Sequence, residues 1–409
     1  MTSSNVSPKV EFTTISEPRV SAGYNLPIGY LRAFVTVLVL AHHAVLAYFP
    51  GAPRPGRALA IRPYWWTAFP VVDSQSWSGF QLLVGFNDIF FMSLMFFLSG
   101  LFVWGSLERK GVRTFLRDRG LRLGIPFVVA ALVVAPLAYY PAYLLTTAPQ
   151  HSFSEFVHQW LSLGEWPAGP AWFVWLLLAF DVIAALVFSV VPNASRMLSR
   201  FGSRGPASFF ALLLAASAVA YIPLVLIVSP MRWTTFGPFY FQTSRIVHYA
   251  VYFFAGISVG VYGIDRGLLA AGGPLARRWV TWTISALVAF AIAIVTALLG
   301  MANYVHAPYT WGAIGGCGFV LSCAASCFAF LALFVRFART PRRFYDALRD
   351  NAYGMYLIHY AFVSWVQYSL LRLLWPGFMK GTVAFVAVLV LSLVATAALR
   401  RVPAVRRMI

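Results

Sequence analysis

The sequence predicts an all-α, polytopic membrane protein of about ten transmembrane helices with both termini cytoplasmic. Three observations predict it. Of 409 residues, 60% are hydrophobic and 11% charged, against about 25% charged in a typical soluble domain. Apolar runs of the length that crosses about 30 Å of hydrocarbon recur along the chain. The basic residues fall mainly in alternate connecting segments. A soluble enzyme, a disordered chain and a repeat solenoid are thereby excluded.

The first span, 28–49, follows from a charge-free stretch beginning after Arg32. The second, 84–105, opens at Asp88 and is charge-free to Leu107. The third, 124–147, lies in the run from Leu123 to Ser154, and the fourth, 170–191, carries one acid, Asp181. Spans 207–229 and 245–263 follow. The long run from Trp279 to Val335 gives two spans, 279–300 and 311–335, divided by a polar turn near Asn303 to Thr310. The last two are 352–373 and 381–399. The chain thus divides into a cytoplasmic tail at 1–27, a ten-helix membrane domain at 28–399 and a basic cytoplasmic tail at 400–409.

With the N-terminus inside, the inner segments hold 23 basic residues and the outer loops 5: Arg54, Arg57, Arg62, Arg232 and Lys380. The net charge of +19 therefore reads as topology and contact with the lipid bilayer; no nucleic acid partner is expected. Three cysteines, Cys317, Cys323 and Cys327, share the eighth span without the spacing of a metal site and read as small apolar filler. The chain has no P-loop, no dinucleotide fingerprint, no CxxC and no HExxH, which argues against an ATP-driven pump. No cleavable leader is expected, since the first 27 residues are polar and the first apolar run is long enough to span.

An ionisable residue inside a span is costly and so marks a candidate site. The set is Arg32, His42, His43, Asp88, Asp181, His248 and His359. His43 lies deep in the first helix, and Asp88 enters the second at similar depth. A carboxylate beside an imidazole would fix its tautomer and raise its basicity; a structural pair tying two helices is the plain alternative. Six cations crowd one inner segment: Arg109, Lys110, Arg113, Arg117, Arg119 and Arg122. Arg119 and Arg122, three apart on a helix, would share a face and could grip one polyanion, or simply anchor on anionic lipid. His359, counted from a span beginning at 352, would sit about 12 Å from the depth of His43 and would not share a proton with it. No partner is evident for Asp181. His248 reads as near the outer surface.

Four stretches together resemble the integral-membrane acyltransferase family 3. They are Leu31-Arg32-Ala33 with His43 eleven residues after the arginine, Phe96-Phe97-Leu98-Ser99-Gly100, Arg119-Gly120-Leu121-Arg122 before Pro126, and Gly354-Met355-Tyr356-Leu357-Ile358-His359. Pro170-Ala171-Trp172-Phe173 resembles the aromatic start of a middle helix of the family. Two departures stand out: the acid the family often has before the first-helix arginine is replaced by Gly29-Tyr30, and no hydrolase-like domain is appended. The resemblance implies an acyl-CoA donor from the cytosol, acetyl favoured and succinyl possible. It implies a hydroxyl acceptor on a carbohydrate or glycan of the cell envelope, and residence in the bacterial inner membrane. On it, His43 is the expected general base with Asp88 orienting the site, and no metal is required. Arg32, Ser99, Arg117, Arg119, Arg122 and His359 are the expected donor-binding residues. Arg245 or Arg32 could serve a succinyl carboxylate. Two alternatives stay open: a proton-coupled transporter, and acylation of a small secondary metabolite.

Overall fold

The computed structural model describes residues 25–53, 56, 58–147 and 151–409. The tail before Asn25, Arg54 and Arg57 of the first connection expected outside, and residues 148–150 of the next one lie outside the described residues. Ten long helices build the fold: α1 Leu26–Val45, α2 Gly79–Gly100, α3 Val112–Leu144, α4 Trp172–Val190, α5 Pro206–Ile227, α6 Ile246–Tyr262, α7 Trp279–Asn303, α8 Pro308–Phe337, α9 Arg343–Leu370 and α10 Gly377–Leu399. Among the described residues, nine helices are long and apolar enough to cross a membrane. The exception is α9, which carries five tyrosines together with His359 and Gln367 and is enclosed by α1, α10 and the end of α3. Strand is confined, among the described residues, to a hairpin, Trp233–Phe236 with Phe239–Gln242.

Each boundary has a local cause. Asn25 caps α1 by accepting the Ile28 amide at 3.2 Å, and Pro27 occupies the first turn, where its missing N–H costs nothing. At the other end, Gln367 donates its amide to the carbonyls of His43 and Ala44, at 2.9 and 3.0 Å. The basic segment expected as a loop is largely helical. Val103–Lys110 is a short helix, Gly111 turns the chain at φ +74°, and α3 starts at Val112. Within α3 two π-helical turns, Gly120–Gly124 and Ala130–Val134, interrupt the regular spacing.

Glycines set how closely two central helices approach. A Cβ on Gly100 of α2 would lie 2.2 Å from the Phe253 carbonyl oxygen of α6. A Cβ on Gly256 or Gly260 of α6 would lie 2.0 Å from the carbonyl oxygens of Phe97 and Leu101. The two backbones therefore touch, the close packing that small residues four apart permit.

Helices α1 and α9 run side by side in the same direction. Tyr30 donates to Asp346 at 2.8 Å near their starts, and Gln367 holds the end of α1. This overturns the depth reading of His359. Its helix begins at Arg343, nine residues before the expected 352, because Arg343, Asp346, Arg349 and Asp350 form its first turns instead of a loop. His43 and His359 thus lie about 26 and 24 Å from their helix starts.

Candidate active site

The equal depth of the two histidines brings them into contact. His43 Nδ1 is 3.2 Å from His359 Nε2 and 2.9 Å from the Val39 carbonyl oxygen. His359 Nδ1 is 2.6 Å from the Tyr356 carbonyl oxygen. Carbonyl oxygens only accept, and this settles the tautomers of the neutral pair. His359 donates from Nδ1, so its Nε2 is a lone-pair acceptor. His43 Nδ1 then faces two acceptors and must carry the proton. The lone pair of His43 is left on Nε2. His43 is half-buried, whereas His359 is fully buried. Tyr360 packs against the His43 ring at 5.3 Å and His42 at 5.2 Å between centroids.

Asp88 does not orient His43. Its Oδ2 accepts from Arg245 Nη2 at 2.6 Å, and Arg245 Nη1 donates to the Asp88 carbonyl at 2.9 Å. The histidine within electrostatic reach of this pair is His42. Arg245 enters from the 3-10 turn Thr243–Arg245 that leads into α6, a chain segment whose proximity no local spacing in the sequence reveals. His248, one turn further along, in the first turn of α6, is fully buried within the protein, with Nε2 3.6 Å from Cys323 Sγ. Cys323 and Cys327 are buried and Cys317 exposed. Among the described residues no group of three or more His, Cys, Asp or Glu is placed to hold a metal ion.

At the opposite end of α1, Arg32 projects into a cavity of about 380 Å³ lined also by Asn25, Phe102, Arg349, Asp350 and Arg400. Arg32 lies eleven residues, about 16 Å, from His43. Arg349 pairs with Asp346 at 2.7 Å and Asp350 at 2.8 Å. Arg400 donates to the Asp350 carbonyl and to Asn351. Neither Arg349 nor Arg400 stood out in the sequence, where both counted only toward topology. A signal for Arg349 was there to read: Tyr345, Leu348, Ala352, Met355 and His359 recur at intervals of three and four, the stripe of a helix that starts before 352.

The other expected donor-side residues divide. Arg119 is within electrostatic reach of Arg32, but its Nε is 3.2 Å from Asp181 Oδ2, the partner that the sequence left unnamed. The expected shared face of Arg119 and Arg122 fails, because the π turn at Gly120–Gly124 widens the helix between them. Arg122 is exposed and takes the Tyr353 hydroxyl on its carbonyl at 2.6 Å. Arg117 is 71% exposed and meets Asp118 at 3.5 Å. Ser99 donates to the Met95 carbonyl at 2.8 Å and does not line the cavity.

A roof of connecting segments covers the His43 end. The Thr67 carbonyl accepts from Tyr139 at 2.9 Å and Tyr360 at 3.3 Å. Lys380 and Asp73, both buried, pair at 2.6 Å. Glu165 accepts from Arg62 at 2.5 Å and from Tyr240 at 2.9 Å; burial first, then that bond, pushes the Tyr240 phenol up. Two of the motif stretches meet below it: Tyr356 donates its hydroxyl to the Pro170 carbonyl.

A family model described as an acyltransferase domain matches residues 26–401. No curated protein and no solved structure matches the chain.

Proposed function

The chain belongs to the integral-membrane acyltransferase family 3, and from that premise we propose that it moves an acyl group from a coenzyme A thioester to a hydroxyl of a cell-envelope carbohydrate, with His43 as general base. The observation that carries the reading is the fixed tautomer of His43, whose unprotonated Nε2 belongs to the half-buried residue of the pair, its partner His359 being fully buried.

The step balances without any other group. His43 Nε2 takes the proton of the acceptor hydroxyl as its oxygen bonds to the thioester carbon. The carbon–sulfur bond breaks, and the sulfur leaves as coenzyme A after receiving the proton from the imidazolium. While His43 is protonated, its Nδ1–H bond to His359 Nε2 becomes charge-assisted and so stronger. His359 is accordingly a positioning residue and not the donor ligand expected from sequence.

The Arg32 cavity suits the phosphates of coenzyme A, since guanidinium groups bind phosphate in a fixed fork. The arm of coenzyme A would then follow α1 toward His43. The surplus of basic residues at the Arg32 end supports a cytosolic face there and an outer face at the His43 end. There Tyr64 and the 53% exposed Trp65 offer aromatic faces of the kind that stack on sugar rings. Acetyl is the favoured acyl group, and the bacterial inner membrane the expected site of action.

The test is loss of thioester from acetyl-CoA by purified protein in proteoliposomes, wild type beside His43→Ala. Turnover in the wild type that vanishes in the variant is expected. Undiminished turnover in the variant removes His43 from the mechanism.

A further inference from the structure

We infer that the Asp88–Arg245 pair sets acyl specificity, so that the group transferred at His43 is uncharged and a thioester ending in a free carboxylate, such as succinyl-CoA, is rejected. The inference rests on the reading of His43 as the transfer site.

The pair stands at the level of the reaction. The antiparallel course of α1 and α2 brings Asp88 within electrostatic reach of His42, whose ring adjoins that of His43. Its two members face different surroundings. The Asp88 side chain is 42% exposed, the Arg245 side chain 5%. The carboxylate is thus the accessible member of the pair.

Arg245 is shut away from a ligand, its side chain being only 5% exposed. Nη1 and Nη2 each give one N–H to Asp88, Nε is buried without a partner, and the guanidinium plane lies 4.8 Å over the Phe319 ring. This answers the expectation that Arg245 could hold a succinyl carboxylate. Asp88 Oδ1, by contrast, has no hydrogen-bond partner among the described residues, so a carboxylate arriving here meets like charge before it meets any donor of the buried Arg245. The other cation considered for that role, Arg32, is about 16 Å away along α1. A charge left unpaired in such a place is strongly disfavoured, whereas an acetyl methyl group brings no charge at all.

The experiment compares kcat/KM for acetyl-CoA and succinyl-CoA in proteoliposomes, wild type beside Asp88→Asn. The wild type should favour acetyl-CoA by at least about 100-fold. Asp88→Asn removes the like charge and releases Arg245, so the ratio should narrow at least about tenfold. The wild-type ratio needs no variant to fold. Equal use of the two thioesters by the wild type, with turnover still dependent on His43, overturns the specificity and leaves the base in place. A ratio unchanged in a folded, active Asp88→Asn overturns it as well. No turnover and no thermal stabilisation by either thioester overturns the coenzyme A donor itself, and the inference with it.

Discussion

The two ends of α1 handle charge in opposite ways. Around Arg32 the cavity gathers three arginines, Arg32, Arg349 and Arg400, with Asp350 as the acid of its lining. Around His43 the cations are matched singly: Arg245 with Asp88, Lys380 with Asp73, Arg62 with Glu165. A surplus of guanidinium suits a polyanion held by its phosphates. A neutral surrounding suits proton transfer between uncharged partners, because there a buried imidazole answers to its hydrogen bonds and not to a nearby ion. On the proposed reading, one helix thus joins a region suited to holding a polyanion with a region suited to proton transfer.

Substitutions can break that division, and they rank by expected effect. His43→Ala removes the base, and turnover in the thioester assay should fall about 10²–10⁴-fold with protein level unchanged. Arg119→Ala leaves the fully buried Asp181 without its ion-pair partner, which is destabilising. It should appear as a lower melting temperature, which Arg119→Ala with Asp181→Asn restores. Failure of the second change to restore stability would mean that Arg119 acts elsewhere.

His359→Leu removes one of the two acceptors that hold the His43 proton on Nδ1, and kcat should fall about 10–100-fold, the usual cost of losing a group that orients an active imidazole. His359→Gln keeps an acceptor oxygen and should recover most of the rate; equal loss in both variants would make the role one of packing. Arg32→Ala should raise the apparent KM for acetyl-CoA about tenfold, the worth of one charge-assisted hydrogen bond, with kcat nearly unchanged. Arg117→Ala, on an exposed side chain, should change neither parameter measurably.

Much of this arrangement was legible in the sequence, and what was not has physical reasons. The spans were readable because lipid demands long apolar runs. The four motif stretches marked α1, α2, α3 and α9, and in the fold two of them, those of His43 and His359, meet directly. The depth of His359 was misread because the polar first turns of α9 resemble a loop to any reading that equates helix with hydrophobic run. The partner of Asp88 was out of reach because Arg245 lies more than 150 residues further along the chain. The pairing of Arg119 with Arg122 failed on a π turn, which no composition of Gly120 to Gly124 announces. Arg349 and Arg400 were hidden among residues that topology alone seemed to explain.

The glycine contacts between α2 and α6 have a mechanical consequence. Because Gly100, Gly256 and Gly260 put main chain directly on main chain, no compressible layer of side chains separates the two helices along that seam. They form one stiff beam. Asp88 rides on one flange and Arg245 on the other, so the spacing of their ion pair is inherited from the backbone seam. A methyl group at Gly256 would wedge the beam open and be felt at the pair, although it lies three turns of helix away from Arg245.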